Sequence, residues 1–98
     1  MKIYLSEEFY NLAKSVDFSD ISDRIIFNDQ DKEVDVDERP IIKTDFFGEK
    51  YEASPITVML GCISDEVINS GMSSDQQKIL PRGKALYNLY DNIYDNLY

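Results

Sequence analysis

The sequence predicts an α+β domain, and three observations carry that prediction. Apolar residues recur at helical spacing near the start of the chain and again over its second half. Between them, residues 24–53 have strand composition interrupted by turn residues. The boundary between the two regimes is Ser54-Pro55, a capping residue followed by proline, which opens helices readily. The expected architecture is an N-terminal helix, a small antiparallel sheet, and two or three C-terminal helices. An all-α bundle with a long acidic loop is the alternative, and both turn on residues 24–53. The 98 residues suffice for one domain and not two, so 1–98 is read as a single unit.

Each element has a local reason. Met1 to Leu5 reads as a short leading strand or a frayed start. Ser6 is a good N-cap, and Glu7 and Glu8 sit in the first turn, where the helix dipole favours acids. Phe9, Leu12, Ala13 and Val16 recur at three- and four-residue steps, giving a helix over about 7–16. Residues 17–23 are rich in capping residues and suit one helical turn. Arg24 to Phe27 has strand composition, and Asn28 to Lys32 reads as a turn or the start of an acidic strand. Glu33 to Asp37 follows as a strand, Arg39-Pro40 interrupts it, and Ile41 to Phe47 looks like another. Gly48-Glu49 turns the chain into Lys50 to Ala53. The helix from Ser54-Pro55 carries Ile56, Met59, Leu60, Ile63, Val67 and Ile68 as its apolar face. Gly61 inside it is read as a close-packing position, Cys62 as a small buried residue, and Gly71 as the stop. Ser74 and Gln77 have capping-box spacing and suggest a short helix before Pro81. Arg82-Gly83-Lys84 reads as a basic linker. The last helix is expected from about Lys84 onward, with Leu86, Leu89, Tyr90, Ile93 and Leu97 as its stripe.

Ten Lys and Arg face 19 Asp and Glu, for a net charge of -9. That balance argues against direct contact with nucleic acid or an anionic membrane, both of which need a basic footprint. The chain has no His, no Trp and one Cys. A Cys/His zinc site, a haem site, a Ser-His-Asp triad and an internal disulfide are thereby disfavoured. No nucleophile motif is present, and the acids are too many to single out a catalytic pair, so no enzyme, metal or cofactor is expected. An EF-hand count from Asp29 fails, because Val34 falls where glycine is needed and Pro40 where glutamate is needed. The absence of an apolar leader and the lone Cys fit a cytoplasmic setting.

The acidity is regional. Residues 17–38 carry nine acids against Arg24 and Lys32, whereas residues 1–16 are balanced. Asp29, Asp31, Glu33, Asp35 and Asp37 occupy every second position. On an extended strand they would share one face about 6.6–6.8 Å apart, coarsely like the phosphates of one nucleic-acid strand. Gln30, Lys32, Val34 and Val36 would form the other face. Neutralising the five acids is expected to leave the fold intact. A second candidate surface is the tyrosine-rich tail. Tyr87 and Tyr94 flank the apolar stripe, with Asp91 and Asp95 beside them, and tyrosine suits interfaces because it joins a flat apolar body to a polar tip.

In size and charge the chain is similar to phage-encoded DNA-mimic inhibitors of restriction, CRISPR or repair enzymes. It is equally similar to immunity proteins and antitoxins that block nuclease toxins. The likeness is one of composition and implies a basic protein partner, a nucleic-acid-binding protein or nuclease, engaged through a carboxylate-rich surface. The alternative is an oligomeric structural or adaptor protein, such as a homodimer, associating through the tyrosine tail.

Overall fold

In the computed structural model, which describes residues 1–75 and 78–97, the chain is α+β as the sequence predicts. Strand β1 (Lys2–Tyr4) leads into helix α1 (Glu7–Lys14), a 3-10 helix (Ser19–Arg24), then β2 (Ile25–Asn28) and β3 (Glu33–Val36). A second hairpin follows, β4 (Ile41–Thr44) and β5 (Lys50–Ala53), and then the long helices α2 (Pro55–Ser70) and α3 (Pro81–Leu97). The strands form two separate antiparallel sheets, one ordered β1-β3-β2 and one made only of β4 and β5.

The first sheet alternates cleanly across its central strand. Ile3, Val34 and Phe27 lie in one register row, and Ile25 pairs with Val36. Their side chains join the core, where Val36 is fully buried. Successive residues of a strand point to opposite faces, so Lys2, Asp35 and Ile26 line the outer face with Tyr4, Glu33 and Asn28.

Helices α2 and α3 supply much of the remaining core. Met59, Ile63, Val67, Leu86, Leu89 and Ile93 are almost wholly buried. The pair runs antiparallel: Ser54, Ile56 and Leu97 lie together at one end, and Gly71 meets Gly83 at the other. A Cβ at Gly71 would come within 2.5 Å of the Gly83 Cα, and one at Gly83 within 2.1 Å of the Gly71 carbonyl oxygen. Gly71 ends α2, as expected, but its φ of -103° needs no glycine; the close approach of the two backbones does.

Several local expectations change. Helix α3 begins at Pro81, so Arg82 and Gly83 belong to its first turn and not to a linker. Arg82 clamps three helices, donating to Ser70 Oγ at 2.9 Å, Glu66 Oε1 at 3.2 Å and Ser15 Oγ, just beyond α1, at 3.2 Å. Part of the short helix expected from Ser74 falls on Gln76 and Gln77, outside the described residues. Around them Met72 bridges Ile79, and the Ser73 amide donates to the Lys78 carbonyl at 2.9 Å. Ile68 is half exposed and leaves the core face of α2. A Cβ on Gly61 would meet nothing within 4 Å, so Gly61 marks no close packing. No helix among the described residues is long and apolar enough to cross a membrane.

Candidate functional site

The five alternating carboxylates do not form a ladder. Asp29 and Asp31 sit in the four-residue turn between β2 and β3, only Glu33 and Asp35 share the outer strand face, and Asp37 follows the strand. Lys32, with φ of +52°, makes the tight reversal that breaks the extended register.

Four of the five are held by cations of the same chain. Asp29 Oδ1 accepts from the Tyr10 hydroxyl at 2.5 Å and from Lys14 Nζ at 2.8 Å. Glu33 is only 6% exposed and lies 3.9 Å from Lys2 Nζ. Asp35 lies 3.5 Å from the N-terminal ammonium. Asp37 accepts from Arg39 Nε at 2.8 Å and lies 3.9 Å from an Arg24 nitrogen. Asp31 accepts from Asn28 Nδ2 at 3.2 Å.

These bonds move the proton equilibria. Burial, then the bond to Asp29, pushes the Tyr10 phenol up to about 12. The Lys14 bond, then the Tyr10 bond, holds Asp29 below its ordinary range. The Arg39 guanidinium holds Asp37 down at about 2. The acidic run therefore ties β3 and its turn to α1, β1 and the segment after β3. Its charge is largely answered from within, and the expectation that neutralising it leaves the fold intact gives way to an expected loss of stability.

Acids without an ion pair are spread over the described residues, among them Glu7, Glu8, Glu38, Asp45, Glu49 and Glu52, and five more lie on or near the long helices and the 3-10 segment. Among the described residues, no ion pair involves Asp17, Asp20, Asp65, Asp91 or Asp95. Asp17 caps the Ser19 amide at 3.0 Å. Half-buried Cys62 on α2 marks where three of them gather. Its thiol is pushed up by burial first, then by Asp20 and Asp65, and also by Asp17, while Lys43 opposes them. On the other flank of α2, Ser64 and Val67 meet Tyr87, Tyr90 and Asp91 of α3 around a groove of about 170 Å³. Helix α2 thus lies between the two groups. Ile68 and Tyr87 are exposed on this side, and Tyr94 stacks on Tyr90 with ring centroids 6.4 Å apart.

The tail residues lie where helical periodicity puts them. Leu86, Leu89 and Ile93 are core, and Tyr87 and Tyr94 each remain 47% exposed. Asp91 and Asp95 are exposed beside them, and Lys84 lies on the same flank by spacing. The sequence reading missed Asp65, because nothing in linear order links it to Asp17 and Asp20. It also missed Phe46 and Phe47, which are 97% and 86% exposed at the tip of the β4–β5 hairpin. Their signal was present: Asp45 and Gly48 mark a turn, and a turn has no use for two phenylalanines between them.

No protein-family model, curated protein or solved structure matches the chain. Among the described residues no group of three or more His, Cys, Asp or Glu is arranged to hold a metal ion.

Proposed function

We propose that this chain is a small inhibitory binding protein that occupies the basic site of a nucleic-acid-binding protein or nuclease. The observation that supports this reading is the helical back face. Among the described residues Asp17, Asp20, Asp65, Asp91 and Asp95 make no ion pair, and the helices that carry Asp65, Asp91 and Asp95 also expose Ile68, Tyr87 and Tyr94. Charge of one sign steers encounter with a basic partner, and aromatic side chains supply buried area once docked. The setting in this reading is the cytoplasm, and the partner is a protein, not nucleic acid or membrane.

The surface differs from a strand-borne phosphate mimic. Its charges sit on the long helices, on the 3-10 segment and just before it, whereas the strand's own acids serve the fold. The test is affinity capture from a lysate with washes graded by salt, followed by binding measurements on the purified partner. Replacing Asp17, Asp20, Asp65, Asp91 and Asp95 by Asn is expected to slow association and leave the melting temperature unchanged or raised. Binding that ignores both this variant and salt would remove the basic partner from consideration.

A second reading is self-association through α3, favoured by the half-exposed Tyr87 and the Tyr90–Tyr94 stack. Apolar self-association persists at high salt, whereas capture of a basic partner weakens as charges are screened. Size-exclusion chromatography at two salt concentrations separates the two.

A further inference from the structure

We infer that the β4–β5 hairpin is a docking arm whose Phe46-Phe47 tip inserts into an apolar pocket on the basic protein partner. The inference rests on the reading of the helical face given above and adds the anchor of that interface. The arm pairs only with itself. Its base is held through Ile41, which packs partly against the core, and its inner strand positions include Lys43, whose charge is felt at Cys62. The arm's base thus stands against the body of the molecule through Ile41. Strand β4 ends at Thr44, and Phe46 and Phe47 lie in the turn beyond it.

The tip is built, not frayed. The Gly48 amide donates to the Asp45 carbonyl at 3.1 Å, and the Asp45 amide to the Glu49 carbonyl at 2.8 Å. Asp45 Oδ1 accepts from the Phe47 amide at 2.9 Å and the Glu49 amide at 2.8 Å. Gly48, with φ of +81°, takes the left-handed position. Asp45 and Gly48 thus make the turn, with the Phe47 amide as one donor, and the Phe46 and Phe47 side chains contribute nothing to it. Their rings pack edge to face, centroids 5.6 Å apart, with no core residue against them. Two large apolar side chains held in solvent by a rigid turn satisfy no demand of folding. They fit the pattern of an anchor whose ordering cost is met before binding.

Charge selects the occupant. Asp45 and Glu49 flank the rings, Lys43 and Lys50 only partly offset the arm's three acids, and the chain carries -9 overall, so charge disfavours an anionic bilayer and a second copy of the chain. A neutral bilayer offers no counter-charge, and a lone small apolar anchor gives only marginal membrane binding. An apolar pocket rimmed by Lys or Arg on a protein answers both the rings and the surrounding carboxylates.

The test uses the full chain with Phe46→p-benzoylphenylalanine for photo-crosslinking in a lysate, and then the purified crosslinked protein as the binding probe. The expected result is a crosslink to apolar residues bordered by Lys or Arg. The double variant Phe46→Ser, Phe47→Ser should then bind that protein at least about thirtyfold more weakly, the hot-spot scale, with its melting temperature unchanged. Phosphatidylcholine vesicles, with and without phosphatidylserine, and sedimentation velocity test the other occupants. Phe-dependent vesicle binding, a Phe-dependent dimer, the absence of any crosslink, or an affinity unchanged by the double variant would each overturn the inference. Loss of affinity only with the Asn variants of the helical face would leave the basic-partner reading standing without the arm. Loss only with the Phe variants, indifferent to salt, would keep the anchor and remove that reading.

Discussion

The two hairpins of this chain resemble each other in length and differ in where their tips point. The β2–β3 tip, Asp29-Gln30-Asp31-Lys32, is polar and is drawn onto α1 by Tyr10 and Lys14. The β4–β5 tip carries Phe46 and Phe47 and touches little but itself. Charge in the first hairpin is structural because it has partners within the chain. Apolarity in the second has none, and so it is free to serve something outside the chain. Composition alone suggests the reverse, with the acids outward and the phenylalanines inward.

The largest expected effect compares one residue type in both hairpins. Ile25 in β2 is buried and pairs with Val36, whereas Ile42 in β4 is exposed. Ile25→Ala should cost about 2–5 kcal/mol, the range for deleting a buried isoleucine side chain. Ile42→Ala should stay within about 0.5 kcal/mol, as surface changes do. Chemical denaturation of the two variants checks this, and equal losses would mean the arm is part of the core.

The next effects concern the charges that bind the first hairpin. Asp37 titrates at about 2 and Asp29 below its ordinary range, so both favour the folded state while ionised. Their contribution is present above the ordinary carboxylate value and is lost as pH falls from about 4 towards 2. Tyr10, raised to about 12, favours the folded state while protonated. Its contribution is present below about 10 and is lost as pH rises towards 12. Asp29→Asn should lower the melting temperature near neutral pH and bring Tyr10 ionisation back towards the other tyrosines in an ultraviolet titration. It should cost less than Ile25→Ala. A stability that ignores acid down to pH about 2 would show that these pairs are idle.

How much of this was legible depends on range. Periodicity placed α1, α2 and the core face of α3, because helical burial repeats within one segment. Ser54-Pro55 marked the α2 start for the same local reason. The alternating acids misled because period two describes a strand only while the chain stays extended, and Lys32 in the left-handed region ends that. Which cations answer those acids is set by contacts between Asp29 and Tyr10, or Asp35 and the N-terminus, far apart in sequence. Asp17, Asp20 and Asp65 act together on the Cys62 thiol only once α2 packs near the 3-10 segment. The Phe46-Phe47 tip was local information, but reading β4 as far as Phe47 concealed it.

A smaller effect separates the turns themselves. Gly48→Ala places a Cβ at φ of +81°, which should weaken the arm's turn by about 1–2 kcal/mol. Strands β4 and β5 form a sheet of their own, so the loss is expected to be local. Amide exchange at Asp45 should quicken by about tenfold, since about 1.4 kcal/mol is tenfold, with little change in global melting. Gly48→Asn should be milder, because Asn tolerates the left-handed region better. A global loss matching Ile25→Ala would mean the arm folds as one unit with the body.

The smallest effect is expected at the matching position of the other hairpin. Lys32 holds φ of +52° without being glycine, so Lys32→Gly relieves about 1–2 kcal/mol of left-handed crowding. Against that, glycine is freer in the unfolded chain, which costs about 0.5–1 kcal/mol. Lys32 Nζ also stands 5.4 Å from the Tyr10 ring centre, a cation–π contact of about 0.5–1 kcal/mol at such a site. The relief and the two losses nearly cancel, and the variant should melt within about 1 kcal/mol of the parent. Lys32→Asn divides the terms, because it keeps tolerance of the left-handed region and loses the cation without glycine's freedom. If Lys32→Gly stabilises the protein by more than about 1 kcal/mol, the lysine charge does nothing for the Tyr10–Asp29 contact. The charge tie of the first hairpin's tip would then rest on the Tyr10 and Lys14 bonds to Asp29 alone, and the contrast with the apolar free tip would stand or fall on Asp29→Asn.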